Sequence, residues 1–245
     1  MTHNDTARLA RARGYPYACP AESYLWKDGA TLPFDANDRA GRTPVLAFGS
    51  NRSPERLQQK FGHLGSHAIP VERAWLRDFD VVYAAHITTY GAVPAMLQHQ
   101  SGVTVEISVT WLDDDQLTVM HASEMAVANY AYARLDNVEL RLDGGGTADE
   151  ALCYVGARGH LPTPQAAAHP LAAVRATGRN SPAFDTPTML EAIRHRLARD
   201  QDPDAFVLRM IDDHVYRSEI TAAISNDAVP FSYPATILEG RILNL

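Results

Sequence analysis

Nothing in this 245-residue chain limits its fold more than the segment Val103–Trp111. In VTVEISVTW, Val103, Val105, Ile107, Val109 and Trp111 alternate with Thr104, Glu106, Ser108 and Thr110 without a break. Successive side chains of a strand point to opposite faces, so this pattern is a half-buried strand and commits the chain to a sheet. Its neighbours supply the rest of that sheet. Ala68–Leu76 and Phe79–Ile87 are bulky and β-branched and read as consecutive strands, followed by a turn at Tyr90-Gly91. Asn129–Leu142 alternates again, Asp143-Gly144-Gly145-Gly146 turns the chain, and Glu150–Val155 is the return strand of that hairpin.

Ahead of these strands lies Thr43–Phe61, TPVLAFGSNRSPERLQQKF. Val45–Phe48 is a short apolar strand, and Gly49-Ser50-Asn51 ends it. Ser53 is placed as a helix N-cap, Pro54 as the first helical residue, and Gly62 as the stop after a helix over Glu55–Phe61. A strand turning into a helix leaves backbone N–H groups free at the turn, where the helix dipole adds positive potential. Such a turn suits an anion or a carbonyl oxygen. It equally suits an ordinary junction whose polar residues only cap.

After Trp111, Asp113 and Gln116 form a capping-box pair that opens a helix. Leu117, Met120, His121 and Glu124 follow at helical spacing and share one face, which the apolar pair turns inward. Glu124 is therefore expected to point into the fold with a raised pKa, the poise of a general acid or base. His121 is a candidate neighbour, or simply a core histidine.

Composition narrows the function classes. Apolar residues make up 46% of the chain and charged residues 21%, ordinary for a globular protein with a sizeable core. A net charge of −7 argues against nucleic acid and against an anionic membrane surface as partners. Arg194-His195-Arg196 reads as a solvated helix face. Two cysteines, Cys19 and Cys153, exclude a disulfide scaffold and a Cys-based zinc site. The first residues lack the apolar core of a signal peptide and no run approaches a membrane span, so the expected compartment is a reducing cytoplasm. Thr2–Gly14 is a short helix or a frayed end, and Tyr15, Tyr17, Tyr24 and Trp26 mark a segment lying across the body. Residues 159–187 are rich in Pro and Ala and poorly defined. Helices over Pro187–Arg199 and Pro203–Ser225 follow, the second with an apolar stripe of Phe206, Met210, Ile211, Val215 and Ile224, and Tyr233–Leu245 is a strand or strap.

The order of these pieces resembles the γ-glutamylcyclotransferase-like family: a strand–FGSN–helix unit, strands, WLDDDQLTVMHASE, then NYAYARL. That family carries a Tyr-Gly-Ser-Asn loop, one catalytic Glu and a later Tyr. Phe48, Gly49, Ser50 and Asn51 match the loop, Glu124 the acid/base, and Tyr130 (with Tyr132 as the alternative) the later Tyr. The likeness spans roughly residues 43–156. Phe48 in place of Tyr, Arg52, His121 and Met125 depart from the family pattern. The resemblance implies an α+β fold, a small mixed β-barrel with flanking helices. The expected organisation is an N-terminal extension over 1–42, the barrel over 43–156 and a helical C-terminal region over 157–245. It further implies cyclisation of a small γ-glutamyl substrate to 5-oxoproline with no cofactor and no metal. The α-amine attacks its own γ-carbonyl, so no protein nucleophile is needed, and neither cysteine nor a G-x-S-x-G motif offers one. Two other readings remain open. One is a non-catalytic anion-binding protein on the same barrel. The other is a metal-dependent hydrolase using His63-x-x-x-His67 or His121-x-x-Glu124.

Overall fold

The computed structural model describes residues 2–65, 68–126, 128–162 and 168–242. Two long antiparallel strands form its spine, β4 (Ala68–Tyr83) and β5 (Ala95–Leu112). The break expected between Leu76 and Phe79 is a bulge inside β4. Asp78 adopts φ 59° there, and its carboxylate accepts the Gly102 N–H at 2.7 Å, pinning both strands at one level. β5 begins well before Val103, because Ala95–His99 pairs with Phe79–Tyr83 beyond the bulge.

Three further strands close the sheet on itself. β3 (Thr43–Ala47) pairs antiparallel with β5 and parallel with β7 (Thr147–Gly156), where Val45 faces Leu152. β7 pairs with β6 (Tyr130–Leu142), and β6 returns to β4 through Ala74–Leu142, Trp75–Arg141 and Leu76–Leu140. The result is an α+β fold on a closed, mixed five-stranded barrel, β4–β5–β3–β7–β6. Closure leaves no edge in the ring itself.

Val103, Val105, Ile107 and Val109 are buried as their alternation requires, each worth about 1.5–3 kcal/mol of transfer free energy. Trp111 departs from the stripe. It is half-buried, its indole N–H donates to Glu72 at 3.1 Å, and the Arg39 guanidinium lies over its ring. The opposite face of β5 is also covered at Ser108 and Thr110. There a second apolar cluster, with Trp26, Val45, Leu57, Phe61, Ile69 and Met120, lies under α2 (Pro54–Phe61) and α3 (Asp114–Met125).

The N-terminal residues hold α1 (His3–Arg13) and a hairpin, β1 (Tyr24–Lys27) and β2 (Ala30–Pro33), which extends the sheet from β4. β8 (Ala176–Thr177) adds two residues to β5, and β9 (Ala235–Glu239) pairs with β6. The expected long helix over Pro203–Ser225 is two helices, α5 (Pro203–Asp212) and α6 (His214–Ser225), following α4 (Thr186–Leu197). Asp213 divides them because its carboxylate accepts the N–H groups of Val215 and Tyr216, starting a new helix. Arg194 is not on a solvated face. It is buried, paired with Glu191, and donates to the carbonyls of Arg199 and Gln201. α4, α5 and α6 share one apolar cluster with the barrel. No helix among the described residues is long and apolar enough to cross a membrane.

Candidate active site

At the end of β3 the chain does not turn directly into α2. Ser50–Arg52 first form one 3-10 turn, and Ser53 then takes the N-cap position with Pro54 next. The expected cap is only half realised: the Ser53 hydroxyl is buried and accepts no capping bond. The Tyr15 hydroxyl, carried in by the chain after α1, stands against this turn and accepts the Ala95 N–H at 2.9 Å. Gly49 is required there, because a methyl group in its place would overlap that hydroxyl. The amides of Gly49 and Asn51 have no acceptor among the described residues.

Above this turn lies a cavity of about 540 Å³, in the usual range for small-molecule sites. Phe48, Gly49, Ser50, Asn51, Glu124 and Tyr130 all line it. Six positions chosen from sequence thus converge on one hollow. Tyr132 does not line it, while Tyr130 does; the Tyr130 hydroxyl donates to the Ala95 carbonyl at 2.8 Å, opposite the bond from Tyr15. Burial pushes the Tyr15 and Tyr130 phenols well above their ordinary range, so both remain protonated. The Arg52 side chain runs elsewhere, donating to the Glu106 carbonyl at 3.0 Å.

Glu124 brings a carboxylate to this cavity. The capping box of Asp113 and Gln116 starts α3 as expected, and three turns later Glu124 reaches the cavity with 17% of its side chain exposed. Its Oε1 accepts from Asn51 Nδ2 at 3.2 Å and from the Lys60 ammonium. Oε2 has no hydrogen-bond partner among the described residues. Lys60 comes from the apolar face of α2, beside Leu57 and Phe61, and only 3% of its side chain is exposed. The expected rise in the Glu124 pKa is corrected by this pair. Burial pushes the carboxyl up, but the Lys60 charge and hydrogen bond, the Asn51 hydrogen bond and the Arg56 charge together outweigh it and hold the group below its ordinary value. Lys60 is itself lowered, by burial that its partner only partly offsets. Glu124 is therefore a carboxylate at neutral pH, anchored through one oxygen and open through the other.

Around it, buried polar atoms lack partners. Asn51 Oδ1 has none, nor does His86 Nδ1, and both residues line the cavity. His86 is 2% exposed with its ring edge-on to Tyr130, and burial drives its pKa down to about 3. His121 turns away from Glu124. Its Nδ1 shares a 2.9 Å hydrogen bond with the Tyr154 hydroxyl and its ring packs on Tyr132, so His121-x-x-Glu124 does not converge on a metal. His67 of the other histidine pair lies outside the described residues. Among the described residues no group of three or more His, Cys, Asp or Glu side chains is arranged to hold a metal ion.

Lys60, Tyr15, His86, Tyr154, Arg158 and the α6 residues were not found from sequence. Lys60 carried a signal, a cation spaced with Leu57 and Phe61 on a helix's apolar face. The others reach the cavity through long-range packing that leaves no local pattern.

No known protein-family profile matches the sequence, and no curated protein matches it. Solved structures do resemble it. One is a gamma-glutamyl cyclotransferase, at 15% identity over 55% of this chain and 67% of that one, with a TM-score of 0.36. Another is a protein from Arabidopsis thaliana, at 16% identity over 50% and 73% of the two chains and a TM-score of 0.36. An uncharacterized protein from Homo sapiens aligns over 88% of this chain and 94% of its own, at 13% identity and a TM-score of 0.37.

Proposed function

We propose that this protein is a γ-glutamylcyclotransferase-type enzyme that closes a γ-glutamyl compound to 5-oxoproline and releases an amine. One observation carries the reading: Glu124 is held by Asn51 and Lys60 through a single oxygen while its second oxygen is left to a cavity that also contains the glycine turn. The substrate's α-ammonium would sit against Glu124 Oε2 and the unpartnered Asn51 Oδ1, two acceptors without other donors. Glu124 takes a proton from that nitrogen. The freed amine attacks the γ-carbonyl carbon, forming the ring C–N bond, and the oxygen that gains charge is held by the Gly49 and Asn51 amides. The bond to the leaving nitrogen then breaks as Glu124 returns that proton to it, and the second proton that the ring nitrogen must shed follows through Glu124 to the departing amine, which leaves as an ammonium ion. The reaction is intramolecular, so folding the substrate correctly supplies much of the rate.

The ion pair with Lys60 favours a second reading, in which the same cavity binds a small γ-glutamyl or other anionic ligand and Glu124 only structures the wall. Glu124→Gln separates the two. The replacement keeps the shape and an amide oxygen for Asn51 and Lys60, but it puts an N–H donor where Oε2 accepted and cannot take the proton. Release of 5-oxoproline from a panel of γ-glutamyl amines and dipeptides should fall by about 10²–10⁴-fold in the variant while the variant still binds these ligands. A wild-type protein that binds these compounds and never releases 5-oxoproline establishes the binding reading instead.

A further inference from the structure

The charges lining the cavity do not balance against a plain γ-glutamyl substrate. Glu124 is its only carboxylate among the described lining residues, and Lys60 already neutralises it. Three arginines line the same space: Arg56 from α2, Arg158 just after β7, and Arg217 from α6. Each is bonded only to neutral groups. Arg56 donates to Gln59 at 3.1 Å, Arg158 to Asn129 at 2.9 Å, and Arg217 to the carbonyls of Met210 and Ile211 at 2.7 and 3.2 Å. None of the three has a carboxylate partner among the described residues.

A glutamyl head group brings one ammonium and one carboxylate. The ammonium belongs with Glu124, and the carboxylate with Arg56, whose charge already acts on Glu124. Lys60 and the substrate ammonium then share the single charge of Glu124, and Arg158 and Arg217 are left with no anion at all, facing whatever the glutamyl group is attached to. His86 stands beside them. The Arg158 charge reaches it, its side chain is buried, and its Nδ1 faces no acceptor or donor of the protein. An orphaned buried nitrogen in a cavity wall is costly unless a ligand satisfies it. Ser218 and Thr221 of α6 line the cavity as well. Arg217 lies on a helix outside the residues the sequence resemblance covers, and Arg158 lies just past their end.

We infer that the leaving amine of the substrate carries a dianionic group, a phosphate monoester or a pair of carboxylates, seated between Arg158 and Arg217 with His86 Nδ1–H donating to it. This rests on the cyclotransferase reading and narrows it: the enzyme selects its substrate by the charge of the part it discards. Guanidinium groups with neutral partners are the side chains suited to such an anion, because their planar forks donate two hydrogen bonds to phosphate or carboxylate oxygens.

The test is a series of four compounds that share the γ-glutamyl group: its amides with ethanolamine (neutral), alanine (one carboxylate), aspartate (two carboxylates) and O-phosphoethanolamine. Binding is measured calorimetrically to the Glu124→Gln protein and turnover to the wild type. A dianionic compound should bind at least about 30-fold tighter than the ethanolamide, and Arg158→Met should remove about tenfold of that advantage while leaving the ethanolamide unchanged. Arg217→Met should do the same. Because Arg217 also holds the end of α5, its thermal unfolding is recorded alongside, and Arg158→Met decides if the Arg217 variant does not fold. The larger advantage, aspartyl or phosphoryl, identifies the group. Equal affinity across the series, an advantage that survives Arg158→Met, or no binding at all overturns the inference. Turnover of the ethanolamide without preference for the dianions overturns it and leaves the cyclotransferase reading standing. Tight, Arg158-dependent binding of the dianions with no 5-oxoproline supports the anion subsite and removes the cyclotransferase reading.

Discussion

Replacing Lys60 by Met tests the electrostatics of the site directly. The ammonium is almost fully enclosed and its partner Glu124 keeps 17% of its side chain exposed, so this pair is little screened by solvent. Removing one member of a buried ion pair costs about 3–5 kcal/mol because the other charge is left uncompensated. Glu124 retains Asn51 and an opening to the cavity, which reduces the expected cost to about 2–4 kcal/mol at pH 7. For a chain of this size that lowers Tm by roughly 5–15 °C. The pH dependence carries the sign. In the wild type the folded pKa of Glu124 lies below its unfolded value, so its contribution is present above the unfolded pKa and lost as pH falls through the folded one. Without Lys60, burial dominates and the folded pKa moves above the unfolded value. The carboxylate then costs stability at neutral pH, and the deficit shrinks on acidification toward pH 5. Thermal unfolding of wild type, Lys60→Met, Glu124→Gln and the double variant at pH 7 and pH 5 completes a cycle in which most of the Lys60 cost should vanish once Glu124 is neutral. A Lys60→Met protein as stable as its parent at pH 7, or a deficit unchanged between the two pH values, refutes the reasoning.

Two further outcomes follow from the same site. Gly49→Ala should cost about 1–3 kcal/mol through overlap with the Tyr15 hydroxyl, and the penalty measured by urea unfolding should be smaller in a Tyr15→Phe background, where the overlapping atom is gone. His86, with a folded pKa of about 3 against 6.5 unfolded, should stay neutral in NMR titrations from pH 8 to pH 5; its share of stability is intact above pH 6.5 and falls by about 2 kcal/mol by pH 5.

The strands were legible where one face is apolar and the other polar, as in Val103–Trp111. They were truncated where that rule fails. Ala95–Gln100 contains Gln98, His99 and Gln100, yet it belongs to β5 because Phe79–Tyr83 offers it a partner across the Asp78 bulge. The hairpin of β1 and β2 did have a local signature. Asp28-Gly29 sits at its turn with φ values of 49° and 81°, the left-handed pair that a two-residue hairpin requires. The glycine turn and Glu124 were legible because each lies in a periodic or capped segment with a fixed inward face. The direction of the Glu124 pKa was not, since it depends on Lys60, a residue on another helix whose approach is set by the packing of α2 against α3. Arg158, Arg217 and His86 were illegible for the same reason: an isolated cation or imidazole in sequence gives no hint of the wall it joins.

The parallel seam between β3 and β7 governs the order in which the molecule can be assembled. β3 is made early in synthesis, but its second neighbour, reached at Leu152, emerges only after β4, β5, α3 and β6. Pairings so distant along the chain are entropically slow to form. The glycine turn that hangs from the end of β3 is consequently among the last parts to gain fixed geometry, and a ribosome-bound fragment ending before β7 carries Phe48–Asn51, Glu124 and Tyr130 without the hollow that they line.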